Sequence, residues 1–104
     1  MKWYKKLYIG ESALESKRDI IKSIKKNKFQ LGAYVLTLPL GKDSIMDIYP
    51  AFVLLQPNLN TKELCIIGIA MGKEEAFDVF QKIVMYSFEM TGSFMIKDFL
   101  TEFR

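Results

Sequence analysis

Histidine is missing from this 104-residue chain, and cysteine occurs once. The first absence excludes Ser-His and Cys-His mechanisms and every zinc site that uses imidazole. The second excludes an internal disulfide, and it excludes thiolate zinc sites because one sulfur cannot supply the ligands. Cys65 stands in the run Leu64-Cys65-Ile66-Ile67. A thiol there is expected to be a small buried hydrophobe, because burial raises its pKa and suppresses the thiolate. An enzyme built on this chain has only carboxylates, Lys, Tyr and Arg to work with. Long apolar runs are missing too. The longest, Leu64 to Met71, is far too short to span a bilayer. The basic start, Met1 to Lys6, is followed by no apolar core of a secretory signal. The expectation is a cytoplasmic protein with no metal, no cofactor and no membrane partner.

What is present is a globular composition. Half the residues are apolar and 26% are charged, which separates the chain from disordered sequences. Its length is that of one domain, residues 1–104, able to bury one core without covalent staples.

Hydrophobic periodicity sets out the elements. Trp3 to Ile9 reads as a strand, and its lysines suit a sheet edge, where charge deters unwanted pairing. Ser12-Ala13-Leu14-Glu15 matches a capping box that would open a helix running to about Asn27. Leu14, Ile20, Ile21 and Ile24 form its apolar stripe. Leu31 to Leu40 is apolar on both alternations, as an interior strand is. Asp43 to Gln56 reads as helical from the spacing of Ile45, Ile48, Phe52 and Leu55, with Pro50 as a kink or second start. An extended run from Ile48 to Leu55 is the alternative. Leu64 to Ala70 reads as the central strand, and Lys73 to Thr91 as the longest helix, with Gly92 just beyond its end. Ser93 to Arg104 keeps a helical pattern through Ile96, Phe99, Leu100 and Phe103, with a brief strand as the alternative. The order β-α-β-α-β-α predicts a compact single-domain α/β fold with a three- or four-stranded, mainly parallel or mixed sheet.

Few motifs carry chemistry. Gly68-Ile69-Ala70-Met71-Gly72-Lys73 stands between a strand and a helix, where phosphate loops occur. It has three residues between its glycines where the phosphate loop has four, and Glu74 where that loop needs Ser or Thr. A tight strand-to-helix turn explains it, and Lys73 is left as a weak anion site. Asp43 and Asp47, four apart, make an acidic pair that a helix cap would also explain.

The charge is distributed unevenly. Residues 1–28 hold nine Lys or Arg against three Asp or Glu, a net of +6; the remainder holds six against nine, a net of −3. Trp3, Tyr4 and Tyr8 lie among those cations. Basic residues interleaved with aromatics bind phosphates and stack on bases. Lys5, Lys6, Arg18, Lys22, Lys25 and Lys26 are therefore candidate contacts for nucleic acid or an acidic partner. A solvated helix face beside a charged edge strand is the plainer explanation. The apolar inventory is also large, with eight Phe and five Tyr, so some of it is expected to be covered by a second copy or another protein.

The segments Asp47-Ile48-Tyr49-Pro50-Ala51, Leu54-Leu55-Gln56, Ile67 to Gly72, Glu75-Ala76 and Thr91-Gly92 resemble a group of small uncharacterised bacterial proteins from anaerobic Gram-positive species. The resemblance spans most of the chain and implies a bacterial, cytoplasmic protein. Its motifs are structural, so it transfers no functional residue. The sequence thus points to a non-enzymatic accessory protein that binds a protein partner or itself, with nucleic-acid binding through residues 1–28 as the alternative.

Overall fold

The computed structural model describes residues 1–28, 30–39, 45–57, 61–93 and 96. Its strands are β1 (Lys2–Ile9), β2 (Ala33–Thr37), β3 (Asp47–Pro50) and β4 (Cys65–Met71), and its helices are α1 (Lys17–Lys25) and α2 (Lys73–Thr91). Two short 3₁₀ segments, Ala51–Leu55 and Thr61–Glu63, lie between β3 and β4. The four strands make one mixed sheet in the order β1-β4-β2-β3. β4 runs parallel to β1 and antiparallel to β2, and β2 pairs antiparallel with β3.

The inner place of β4 follows from its sequence. With no polar face, it must be covered on both sides. One side holds Ile20 and Ile24 of α1, Val35, Ile66 and Ile69, together with Ala51 and Leu54 from the first 3₁₀ segment. The other holds Ala76, Val79 and Ile83 of α2, with Leu36, Ile67 and Ala70. The sheet is therefore the middle of three layers.

A β-bulge makes this two-sided packing work. Thr37 pairs with Ile66 but Leu36 with Gly68, so one step of β2 faces two of β4. The extra residue puts Ile66 and Ile69 on the α1 side, with Ile67 and Ala70 on the α2 side. Gly68 also faces α2. A Cβ there would meet Val79 and Leu36 side chains at 3.4 Å and the Tyr8 carbonyl oxygen at 3.2 Å.

Two sequence expectations change. The segment 43–57 is not a helix where it is described: Asp47–Pro50 pairs with β2, and the chain then turns into 3₁₀ geometry. The pairing of Tyr34 with Pro50 and of Leu36 with Ile48 supplies the reason. Strand addition buries Ile48 on one side and Tyr49 on the other, and an edge strand tolerates Pro50 without a backbone donor. Consequently the order is β-α-β-β-β-α. The capping box is the second change. The chain from Gly10 to Ser16 runs as turns, α1 starts only at Lys17, and Leu14 is exposed rather than part of the stripe. The Ser12 amide finds its acceptor in another element, Glu75.

Both helix ends match their residues. Asn27 takes a left-handed φ of 58° just past α1, and the Asn27 and Lys28 amides bond back to Ile24 and Ser23 as in a Schellman turn. Gly92 is left-handed at the end of α2. Beyond it, Ile96 is helical and buried in the α2-side core. The other apolar positions expected to form a C-terminal helix lie outside the described residues, as does Asp43 of the acidic pair.

Candidate functional site

Two of the concave places on the described surface bring candidate residues together. The first runs along the outer edge of β1, where no strand pairs, and is closed by α1. Its volume is about 490 Å³. β1 reaches it through an irregularity. Between Trp3 and Tyr8 the strand takes five steps while β4 takes two, from Ile66 to Gly68. The surplus chain carries Lys5, Lys6 and Leu7 on the edge. From α1 come Lys17, Ile21 and Lys25, spaced i, i+4, i+8 and so aligned on one face. Trp3, Leu7, Ile9 and Ile21 are half-buried against the α1-side core and supply an apolar floor. The four lysines stand exposed around it, and among the described residues no carboxylate lines the cleft. The Lys25 ammonium lies 5.5 Å from the centre of the Trp3 ring, within cation–π range. None of the four ammonium groups is paired with a described carboxylate.

Of the cations singled out from sequence, Lys5, Lys6 and Lys25 meet here. Arg18, Lys22 and Lys26 do not line the cleft, although all three are exposed. Helix geometry sets them in the adjoining row, three or four residues from Lys25 or from one another. Lys17 was not among the candidates. The signal for it was its place eight residues before Lys25, with Ile21 between. The aromatics divide. Trp3 packs on the α1-side core and lines the basic cleft, as Tyr4 also does in part, while Tyr4 and Tyr8 pack on the α2-side core with their rings stacked at 6.1 Å and an interplanar angle of 11°. Alternation along the strand sets Trp3 and Tyr4 against different core layers.

The second place is a cleft of about 620 Å³ at the carboxyl ends of β1 and β4 and the start of α2. Ligands favour this location in open α/β sheets. β2 is antiparallel to β4, so its carboxyl end lies at the opposite end of the sheet and contributes nothing to this cleft among the described residues. Lys73 and Lys82 line the cleft, but so do Glu11, Glu74, Glu75 and Asp78.

Glu75 is the organising residue of this cleft. Its Oε2 accepts from the Met71 amide at 2.6 Å and its Oε1 from the Ser12 amide at 2.5 Å. The Ala13 amide and the Ser12 hydroxyl also contribute. Burial pushes this carboxyl upward, yet the hydrogen bonds from Met71, Ser12 and Ala13 together outweigh it and hold the pKa below the ordinary 4.5. Gly10 makes room. A Cβ on Gly10 would collide with the Cγ, Cδ and Oε2 of Glu75. The protein's own carboxylate thus fills the cluster of backbone donors that an anion would otherwise use. A ligand anion beside Lys73 would face it.

Tyr8 and Tyr49 are both raised above the usual phenol value, first by burial; Tyr4 and Tyr86 add to it for Tyr8, and Asp47 for Tyr49. The Tyr49 hydroxyl donates to Asp47 at 3.5 Å. Cys65 is half-buried at the start of β4, not enclosed as its apolar neighbours imply, with its Sγ 4.0 Å from the Glu63 carbonyl oxygen. A first strand residue sits at the margin of the core, which accounts for the difference. Among the described residues, no group of three or more potential ligand side chains could hold a metal ion. No helix among them is long and apolar enough to cross a membrane.

No protein-family model matches the chain, and neither a curated protein nor a solved structure is significantly similar to it.

Proposed function

We propose that this protein works by binding rather than by catalysis, and that its ligand is nucleic acid held on the basic cleft between β1 and α1. The observation that carries this reading is the convergence of Lys5, Lys6, Lys17 and Lys25 on one cleft that no carboxylate lines among the described residues. Like charges three or four apart on a helix are destabilising by some tenths of a kcal/mol each. α1 gathers four basic residues, Lys17, Arg18, Lys22 and Lys25, against the single acid Asp19. A phosphate backbone would relieve that repulsion and release its own counterions.

Fluorescence anisotropy with labelled oligonucleotides tests it. At about 50 mM salt the wild type binds, and the double reversal Lys17→Glu and Lys25→Glu weakens binding at least about 100-fold by replacing two phosphate contacts with repulsions. Retained binding in that variant would move the site elsewhere, and no binding by the wild type would end the proposal.

A second reading has its own observation. α2 exposes Phe77, Met85 and Met90, each more than half accessible. Phe77 and Phe80 also close an apolar cleft of about 470 Å³ against Tyr34 and Ile48. A second copy of the chain fits such a face, which lies on the other side of the sheet from the basic cleft. Light scattering is then expected to give a dimer mass that Phe77→Glu reduces to the monomer. A monomer mass for the wild type at high concentration would remove this reading.

A further inference from the structure

Resting on the nucleic-acid reading, we infer that the basic cleft is a seat for one unstacked base, so that the protein selects single strands over duplexes. Phosphate attraction alone needs only a flat field of lysines. This site is different: it is concave, and Trp3 lies in it as part of an apolar floor. Trp3 is only half-buried and lines the cleft. The ring already attracts a cation, Lys25, at 5.5 Å. A base that stacks there takes the place of the ammonium, and Lys25 turns to the neighbouring phosphate. Lys5 and Lys6 on the strand side and Lys17 on the helix side flank the ring, where phosphates before and after a seated nucleotide would run. Bases in a duplex are stacked and paired, so the cleft could take one only after extruding it. Single strands offer every base without that step.

The chain supplies its own reporter, since Trp3 is its only tryptophan. The intact protein is titrated with a single-stranded DNA 12-mer and with the same 12-mer as a duplex. Both the anisotropy of a labelled strand and the tryptophan emission are followed. The single strand is expected to bind more tightly and to quench Trp3, while the duplex leaves the emission unchanged. Trp3→Leu should weaken single-strand binding about 10- to 100-fold and duplex binding little, and Trp3→Phe, which keeps a stacking face, should recover most of the loss. Because the quenching is read on the wild type, poor folding of Trp3→Leu does not remove the test. Equal affinity for both forms without quenching would overturn the base seat and leave phosphate binding in place. No binding of either form would overturn both.

Discussion

Replacing Glu75 by Ala is expected to lower stability by about 2–3 kcal/mol, read as a fall in melting midpoint of roughly 10–15 °C. The side chain sits in the first turn of α2 yet satisfies amides of two other segments, Met71 at the end of β4 and Ser12 in the loop after β1. Hydrogen bonds to an ionised group are worth more than neutral ones, and here partial exposure discounts each of them. Without the carboxylate, the turns from Gly10 to Ser16 lose their tie to α2 and keep the Gly10 amide bond to the Ile69 carbonyl oxygen and the burial of Ala13. Gly10→Ala reaches the same end by another route, because its methyl group would occupy the space of the Glu75 carboxylate. The two substitutions should therefore not add. The double variant is expected to be about as stable as the worse single one, and additive losses would show that they act independently.

The same contact fixes a pH dependence. The Glu75 pKa is depressed on folding below the ordinary 4.5. A depressed carboxyl contributes stability that is complete above its unfolded pKa and is lost as pH falls through the folded one. Wild type and Glu75→Gln should thus differ in denaturant midpoint at neutral pH and converge as pH falls through the depressed folded pKa, below the ordinary 4.5. A difference that persisted in strong acid would show that shape, not charge, holds the loop.

Much of the frame was legible because it rests on burial. The apolar run of β4 required cover on both faces, the lysines of β1 marked an edge, and Gly92 marked a helix end. The segment from Asp47 to Leu55 misled because its apolar spacing fits a helix while its partner is β2, and strand pairing is a non-local fact. Ser12 misled for a related reason. It has the chemistry of a cap, but its amide bonds to a carboxylate 63 residues away. Of the site, the basic character could be read from charge counting alone. The split of Trp3 from Tyr4 and Tyr8 follows from alternation, but the recruitment of Lys17 depends on how α1 lies on the sheet. Glu75 gave almost no signal, because a glutamate in the first turn of a helix is ordinary.

Raising salt from about 50 to about 200 mM is expected to weaken single-strand binding about 50-fold. Each neutralised phosphate lowers log K by about 0.7 per decade of salt on single strands, and the cleft brings together four lysines. This measurement also decides how far the interface extends. If Arg18, Lys22 and Lys26 in the adjoining row each hold a phosphate as well, the slope steepens to about −5 and the same change in salt weakens binding by nearly three decades, about 900-fold. The lower value would confine the nucleic acid to the strip between β1 and α1. In that case Lys22→Glu should change affinity modestly through the long-range field, while Lys17→Glu and Lys25→Glu remove contacts outright. The higher value would mean that the strand continues across the exposed face of α1, and Lys22→Glu would then be as damaging as Lys25→Glu. A slope near zero would mean that the lysines do not meet phosphates at all, and the +6 charge of residues 1–28 would be a solvated surface.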